Sequence, residues 1–171
     1  MEEASSLKNL SFMVVDDNIH MRQLLRMILK ALEAGRVVDA SDGADALKKM
    51  GTNPVDVLLV DWEMSPLDGM DLVRMLRTGS DSPNPYVPII MLSAHSEMTR
   101  VQQARDAGVN EFLVKPVSAK GIYQRVISII STPRPFIRSK TYFGPDRRRR
   151  QSAHYKGPER RKSMQEKAAA T

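Results

Sequence analysis

Apolar residues in this chain follow two rhythms that alternate along its length. Short continuous runs end abruptly at polar residues. Leu10-Ser11-Phe12-Met13-Val14-Val15 stops at Asp16-Asp17-Asn18, and Arg36-Val37-Val38-Asp39-Ala40 stops at Ser41-Asp42-Gly43. Val57-Leu58-Leu59-Val60 lies between Asp56 and Asp61. Val87-Pro88-Ile89-Ile90-Met91-Leu92 runs into Ser93, and Glu111-Phe112-Leu113-Val114 into Lys115-Pro116. Runs this short and apolar predict strands buried on both faces, as in parallel sheets. Pro88 belongs at the start of its strand, where no ladder donor is needed.

Between the runs, apolar residues recur at helical spacing. Met21, Leu24, Leu25, Ile28 and Leu32 follow Asn18, a natural N-cap, and Gly35 closes that helix. Ala44, Ala46, Leu47 and Met50 form a second set, and Met70, Leu72, Val73 and Leu76 a third. Val101, Ala104 and Ala107 give a weaker fourth, ending at Gly108. Ser118 caps the last, which carries Ile122, Val126, Ile129 and Ile130 on one side. Strand and helix thus alternate five times. That predicts an α/β fold: a doubly wound (βα)5 parallel sheet of flavodoxin-like type, with helices on both faces. The alternation comes from the residues. The strand order 2-1-3-4-5, with the first and third strands adjacent at the switch point, comes from analogy with the common fold of this size.

Open α/β sheets place their chemistry at the carboxyl ends of the strands. The first strand delivers Asp16 and Asp17 there, the third Asp61, the fourth Ser93 and the fifth Lys115. Singly, each has an ordinary explanation. An aspartate pair caps helices, Asp61 could start a turn, Ser93 could cap the next helix, and Lys115 could be solvated. Together they place three carboxylates, a hydroxyl and an ammonium on one patch. That set suits phosphoryl transfer to a carboxylate. Hard oxygen donors from Asp17 and Asp61, with Asp16 through water or behind them, suit Mg²⁺. Asp61 is the candidate nucleophile and phosphoacceptor, and Lys115 and Ser93 the groups that bind phosphoryl oxygens.

The acidic pair after the first strand, the Asp61 strand, Ser93-Ala94 and Lys115-Pro116 together resemble the receiver domain of bacterial response regulators, most closely its single-domain CheY-like type. The resemblance covers residues 8 to 131. It implies Mg²⁺ dependence, phosphorylation by a sensor histidine kinase or a phosphotransfer protein, and a cis peptide at Lys115-Pro116. It makes Phe112 the switch aromatic, without the hydroxyl of the commoner tyrosine. It adds Glu63 to the metal set with Asp16, Asp17 and Asp61, and makes Glu63 and His95 the residues that tune phosphate lifetime. By the same resemblance the protein signals by contact, through the fourth helix, fifth strand and fifth helix or through the tail, and is at most self-phosphorylating and self-dephosphorylating rather than an enzyme. A metal-dependent phosphatase would share the carboxylates but lacks a cap or an evident substrate pocket.

Composition then divides the chain. The net charge is +6, yet residues 132–171 hold 12 of the 26 basic residues and only 3 of the 20 acidic ones, a net of +9. Residues 1–131 are left at −3. There are no cysteines, so disulfides and thiolate metal sites are excluded. The polar, acidic N-terminus and the lack of any long apolar run predict a cytoplasmic protein with no membrane partner. A receiver over 8–131 followed by an irregular or disordered basic tail over 132–171 is the expected division. Within the tail, Tyr142-Phe143-Gly144-Pro145-Asp146-Arg147-Arg148 recurs as Tyr155-Lys156-Gly157-Pro158-Glu159-Arg160-Arg161. Paired arginines suit phosphates and a neighbouring tyrosine suits stacking, so Tyr142, Arg147, Arg148, Tyr155, Arg160 and Arg161 are candidate ligand contacts. Three readings of the tail stand open: a solvated or protein-docking extension, a nucleic-acid binder, or a cyclic di-GMP binder similar to the arginine-rich tails of some CheY-like proteins.

Overall fold

A computed structural model describes residues 7–148. A short 3₁₀ turn, Leu7–Asn9, precedes β1 (Ser11–Val15), α1 (Ile19–Ala31), β2 (Arg36–Ala40), α2 (Gly43–Met50) and β3 (Val57–Asp61). Next come α3 (Gly69–Thr78), β4 (Ile89–Ser93), α4 (Met98–Ala107), β5 (Glu111–Val114) and α5 (Ala119–Ser131). The five strands are all parallel, in the order β2-β1-β3-β4-β5. β1 and β3 are therefore neighbours, with Val15 registered on Val60. This places the residues after β1 beside the end of β3.

Alternation along the strands builds two cores. Leu58, Val60 and Met91 pack with Leu72, Val73 and Leu76 of α3 and with Ala46 and Ala104 from α2 and α4. Val57, Leu59 and Ile90 face the other way, onto Leu25 and Leu29 of α1 and Ile122 and Val126 of α5. Every residue of β3 is buried, and this is why it reads as an unbroken apolar run. Burying each of its aliphatic side chains contributes roughly 1.5–3 kcal/mol.

The caps follow the sequence closely. Asn18 accepts from the backbone N–H of His20 and Met21, Asp42 from Asp45, Asp68 from Asp71 and Ser118 from Gly121. α4 is the exception. Its cap position, Glu97, makes no side-chain cap bond, and Ala104 is its sole buried residue. That is the physical content of its weak apolar pattern.

Three differences from expectation concern element ends. Leu7 is buried beneath the 3₁₀ turn, where its carbonyl accepts from Leu10 and Gly35. Strand β4 begins at Ile89, with Val87 buried just ahead of it and the Pro88 carbonyl accepting from Leu58 at 2.9 Å. The largest difference lies beyond α5, where an irregular chain is expected from Thr132. Here β6 (Phe136–Arg138) and β7 (Phe143–Pro145) pair antiparallel.

This hairpin packs on α3 and the α4–β5 turn. Phe143 is buried, in ring contact with Tyr86 and Phe136. Behind them lies Arg77, only 3% exposed. It donates to the carbonyls of Gly108 (3.0 Å) and Pro85 (2.8 Å) and to Asn110 Oδ1 (3.1 Å), and its guanidinium lies 5.1 Å from the centre of the Phe136 ring. Burial lowers its pKa to about 10, so it stays charged at neutral pH. Gly108 has φ +102°, and a Cβ there would meet the Phe143 carbonyl oxygen at 3.0 Å. Three such aromatics and one arginine order the start of a segment that has no apolar periodicity to announce it.

Candidate phosphoacceptor site

Asp16 and Asp17 follow β1, Asp61 ends β3, Ser93 ends β4 and Lys115 follows β5, so all five reach one edge of the sheet. Carboxylate oxygens of Asp16, Asp17 and Asp61 lie within 4.8 Å of one another. Lys115 Nζ stands 2.8 Å from Asp61 Oδ1 and 3.3 Å from Asp16 Oδ2. Asp16 and Asp61 are buried while Asp17 is exposed. Asp16 Oδ1 also accepts from the Asn18 amide at 2.8 Å, and Asp17 Oδ2 from that of Ser65 at 3.3 Å. Lys115-Pro116 is a cis peptide, as the resemblance implies, and so is Ser65-Pro66.

The electrostatics follow from crowding. Burial pushes the Asp61 carboxyl above its usual value, with Asp16 and Asp17 adding to the effect and Lys115 opposing it. Burial pulls the Lys115 ammonium down, but Asp61 and Asp16 outweigh it and hold the pKa above its ordinary value. One ammonium faces three carboxylates, which leaves a surplus of negative charge on hard oxygen donors. The donor set therefore fits a divalent cation of the Mg²⁺ type.

Ser93 is fully buried, and its Oγ accepts from the His95 amide at 3.0 Å. α3 comes close at the same edge. A Cβ on Gly69 would lie 2.2 Å from the Asp61 carbonyl oxygen, so only glycine fits there.

Glu63 is corrected as a member of the carboxylate cluster. Its side chain is exposed and turned to the rim, where Oε1 meets His95 Nε2 at 3.0 Å and Arg100 at 3.2 Å. Contacts with His95 and Arg100 hold it at the rim, away from the three aspartates. His95 is half exposed and held between Glu63 and Glu97 rather than free in its loop. Phe112 is partly buried and meets Trp62 edge-on, 6.4 Å between ring centres. Arg100 lies 5.0 Å over the Trp62 ring. Trp62 and Arg100 went unread in the sequence, because neither carries a pattern of its own.

The tail candidates divide. Tyr142 donates its hydroxyl to its own Pro145 carbonyl at 2.6 Å, and Arg147 lies 4.7 Å over its ring. Arg147 also pairs with Asp106 of α4 at 2.9 Å. Arg148 donates its amide to Asp146. Tyr155, Arg160 and Arg161 lie outside the described residues. The first copy is thus a closed turn fixed to the domain, with Arg147 over one face of its tyrosine ring.

Known proteins agree with this geometry. A family model described as a response regulator receiver domain matches residues 12–127. The chain is 30% identical over 127 residues to chemotaxis protein CheY-3 of Vibrio cholerae serotype O1, covering 74% of this chain and 96% of that protein. It is 30% identical over 120 residues to chemotaxis protein CheY of Pseudomonas aeruginosa, covering 70% and 95%. Among solved structures, the receiver domain of Francisella response regulator 1452 superposes with a TM-score of 0.64 at 29% identity, over 72% of this chain and 98% of that one. Chemotaxis protein CheY4 of Vibrio cholerae does so at 0.62 and 27%, over 68% and 95%. Fold, strand order and matched span coincide, and the chain belongs to the response regulator receiver family, in its CheY-like form.

Proposed function

We propose that this protein is a response regulator that takes a phosphoryl group on Asp61 from a histidine kinase or phosphotransfer protein and signals by protein contact. One observation carries the reading: Lys115 Nζ lies 2.8 Å from Asp61 within a three-aspartate cluster. An Asp61 carboxylate oxygen attacks the donor's phosphorus, and the donor nitrogen or oxygen leaves with the bonding electron pair and a proton from solvent. Lys115 holds a developing negative phosphoryl oxygen by charge, and the Ser93 hydroxyl donates to another. Mg²⁺ held by Asp16, Asp17 and Asp61 would supply charge neutralisation in this pocket. Glu63 and His95, joined across the rim, would set how readily water reaches the acyl phosphate. Output by contact would run through α4, β5 and α5, or through the tail.

The test is labelling with a small phosphodonor and Mg²⁺. The wild-type chain should gain one acid-labile phosphate, and Asp61→Asn none. Labelling that persists in Asp61→Asn would overturn the assignment. Tail binding of cyclic di-GMP or nucleic acid is the weaker reading, because Tyr142 has both ring and hydroxyl engaged within the chain.

A further inference from the structure

The turn that carries Asp16 and Asp17 is held by an arginine that no apolar pattern marks. Arg22 lies in the first turn of α1, with its side chain 14% exposed. Its Nη1 donates to the Asp16 carbonyl at 2.7 Å and to the Asp17 carbonyl at 3.2 Å. Its Nε faces Asp39 Oδ2 of β2 at 3.3 Å. Asp39 is itself fixed, because its other carboxylate oxygen pairs with Arg26 and its carbonyl accepts from Lys49 at 2.8 Å. Arg22 is thus anchored on β2 and directs its hydrogen bonds to the backbone of the turn between β1 and α1.

Those bonds reach the carboxylates through the peptide planes. A trans peptide points its C=O and its N–H in opposite directions. With the Asp17 carbonyl turned to Arg22, the N–H of the same peptide, on Asn18, points the other way and donates to Asp16 Oδ1 at 2.8 Å. Asp16 Oδ2 is left toward Lys115, at 3.3 Å. The bond to the Asp16 carbonyl fixes the preceding plane, from which Asp17 leaves the turn. One guanidinium therefore sets both planes of the acidic turn, and through them the aim of two of the three clustered carboxylates. Its charge meets Asp39 rather than the cluster; among the described residues that is its one ion pair.

We infer that Arg22 is a positioning residue for the divalent cation, holding the acidic turn so that the Asp16 and Asp17 carboxylates stay gathered with Asp61. The proposal rests on the reading of the three aspartates as a Mg²⁺ site. Charge and geometry predict opposite signs for its removal. A positive charge near the pocket repels Mg²⁺, so if charge alone mattered its loss would tighten binding. The Arg22 charge is offset by Asp39, however, and losing its bonds frees two peptide planes, so binding weakens. Loss of a partner that orients metal ligands costs about 10–100-fold in affinity. Lysine would keep the charge but offers a point donor in place of the planar fork that reaches Asp39 and both carbonyls together.

The test is a Mg²⁺ titration of the full chain, read by the fluorescence of Trp62, the sole tryptophan and the neighbour of Asp61, and by the rise in melting temperature. Arg22→Gln should raise the Kd for Mg²⁺ about tenfold. Arg22→Lys should raise it about threefold, and this variant decides the matter if Arg22→Gln fails to fold. Arg26→Gln removes the other partner of Asp39 without touching the turn, and should stay within about twofold of the wild type. Without Mg²⁺, the Asn18 amide resonance of Arg22→Gln should move upfield, because its bond to Asp16 depends on the plane that Arg22 fixes. A merely structural arginine would lower the melting temperature and leave the Kd and the Asn18 resonance as in the wild type, a result that would overturn the proposal. Tighter Mg²⁺ binding by Arg22→Gln would overturn it as well, since repulsion would then be the larger effect. A wild-type chain that binds no Mg²⁺ by either readout would bring down the cation reading itself, and this proposal with it.

Discussion

Asp61 and Lys115 hold each other 2.8 Å apart, yet the carboxylate is the less comfortable partner. Burial raises its pKa, and so do Asp16 and Asp17. A carboxyl whose folded-state pKa exceeds its unfolded value contributes stability that is whole below about 3.8 and is lost as pH rises through the higher, folded-state value. At neutral pH, without divalent cations, ionised Asp61 therefore weakens the fold. Asp61→Asn, which keeps the shape and removes the charge, should melt at a higher temperature than the wild type under those conditions, while Lys115 keeps Asp16 at 3.3 Å. A lower melting temperature would mean that the Lys115 pair outweighs burial. Glu63 shows the limit of reading residues singly. Its position two places beyond Asp61 suggests the metal set, and only the neighbouring His95 and Arg100 reveal why its side chain stays at the rim. Arg100 stands among mostly polar residues of α4 and carries no sequence mark that ties it to Trp62.

At the scale of elements, the strands were legible because parallel strands buried on both faces leave unbroken apolar runs, and the caps because their side chains bond locally. Asp61, Ser93 and Lys115 were legible for the same reason: each ends or follows such a run. The hairpin β6–β7 was not. Phe136 and Phe143 lie in a stretch rich in proline, arginine and serine with no apolar period, and what they pack on, Tyr86 and Arg77, lies fifty or more residues earlier. Phe143→Ala should cost the hairpin about 3 kcal/mol and release it from α3. Hydrogen exchange would show residues 136–145 losing protection while β1 and β3 keep theirs. Alkaline pH should loosen the same element. Burial holds the Tyr142 phenol above its ordinary 10.0, so its stabilisation is whole below that value and is lost as pH rises through the higher one. Tyr142→Phe should remove that transition from the exchange profile.

For the molecule as a whole, charge is partitioned between a mildly acidic domain and a basic C-terminal region, and the structure joins them through Arg134 and Arg147. Mg²⁺ at one hundred times its Kd should stabilise the chain by about 2.7 kcal/mol. Thermal melting would register this, and Asp17→Asn, at an exposed donor, should blunt the gain without harming the apo fold. No change in melting with Mg²⁺ would contradict the donor set. α3 ties the two ends of this arrangement together. Its first residue, Gly69, lies against the Asp61 carbonyl, and Arg77 in its last turn supports the hairpin. Ten residues of helix span about 15 Å. The helix is therefore a ruler of fixed length between phosphoacceptor and hairpin. Paired spectroscopic labels near Asp61 and on β7 should report a single separation while the hairpin is seated, so any second population in the distance distribution counts the molecules in which it has left.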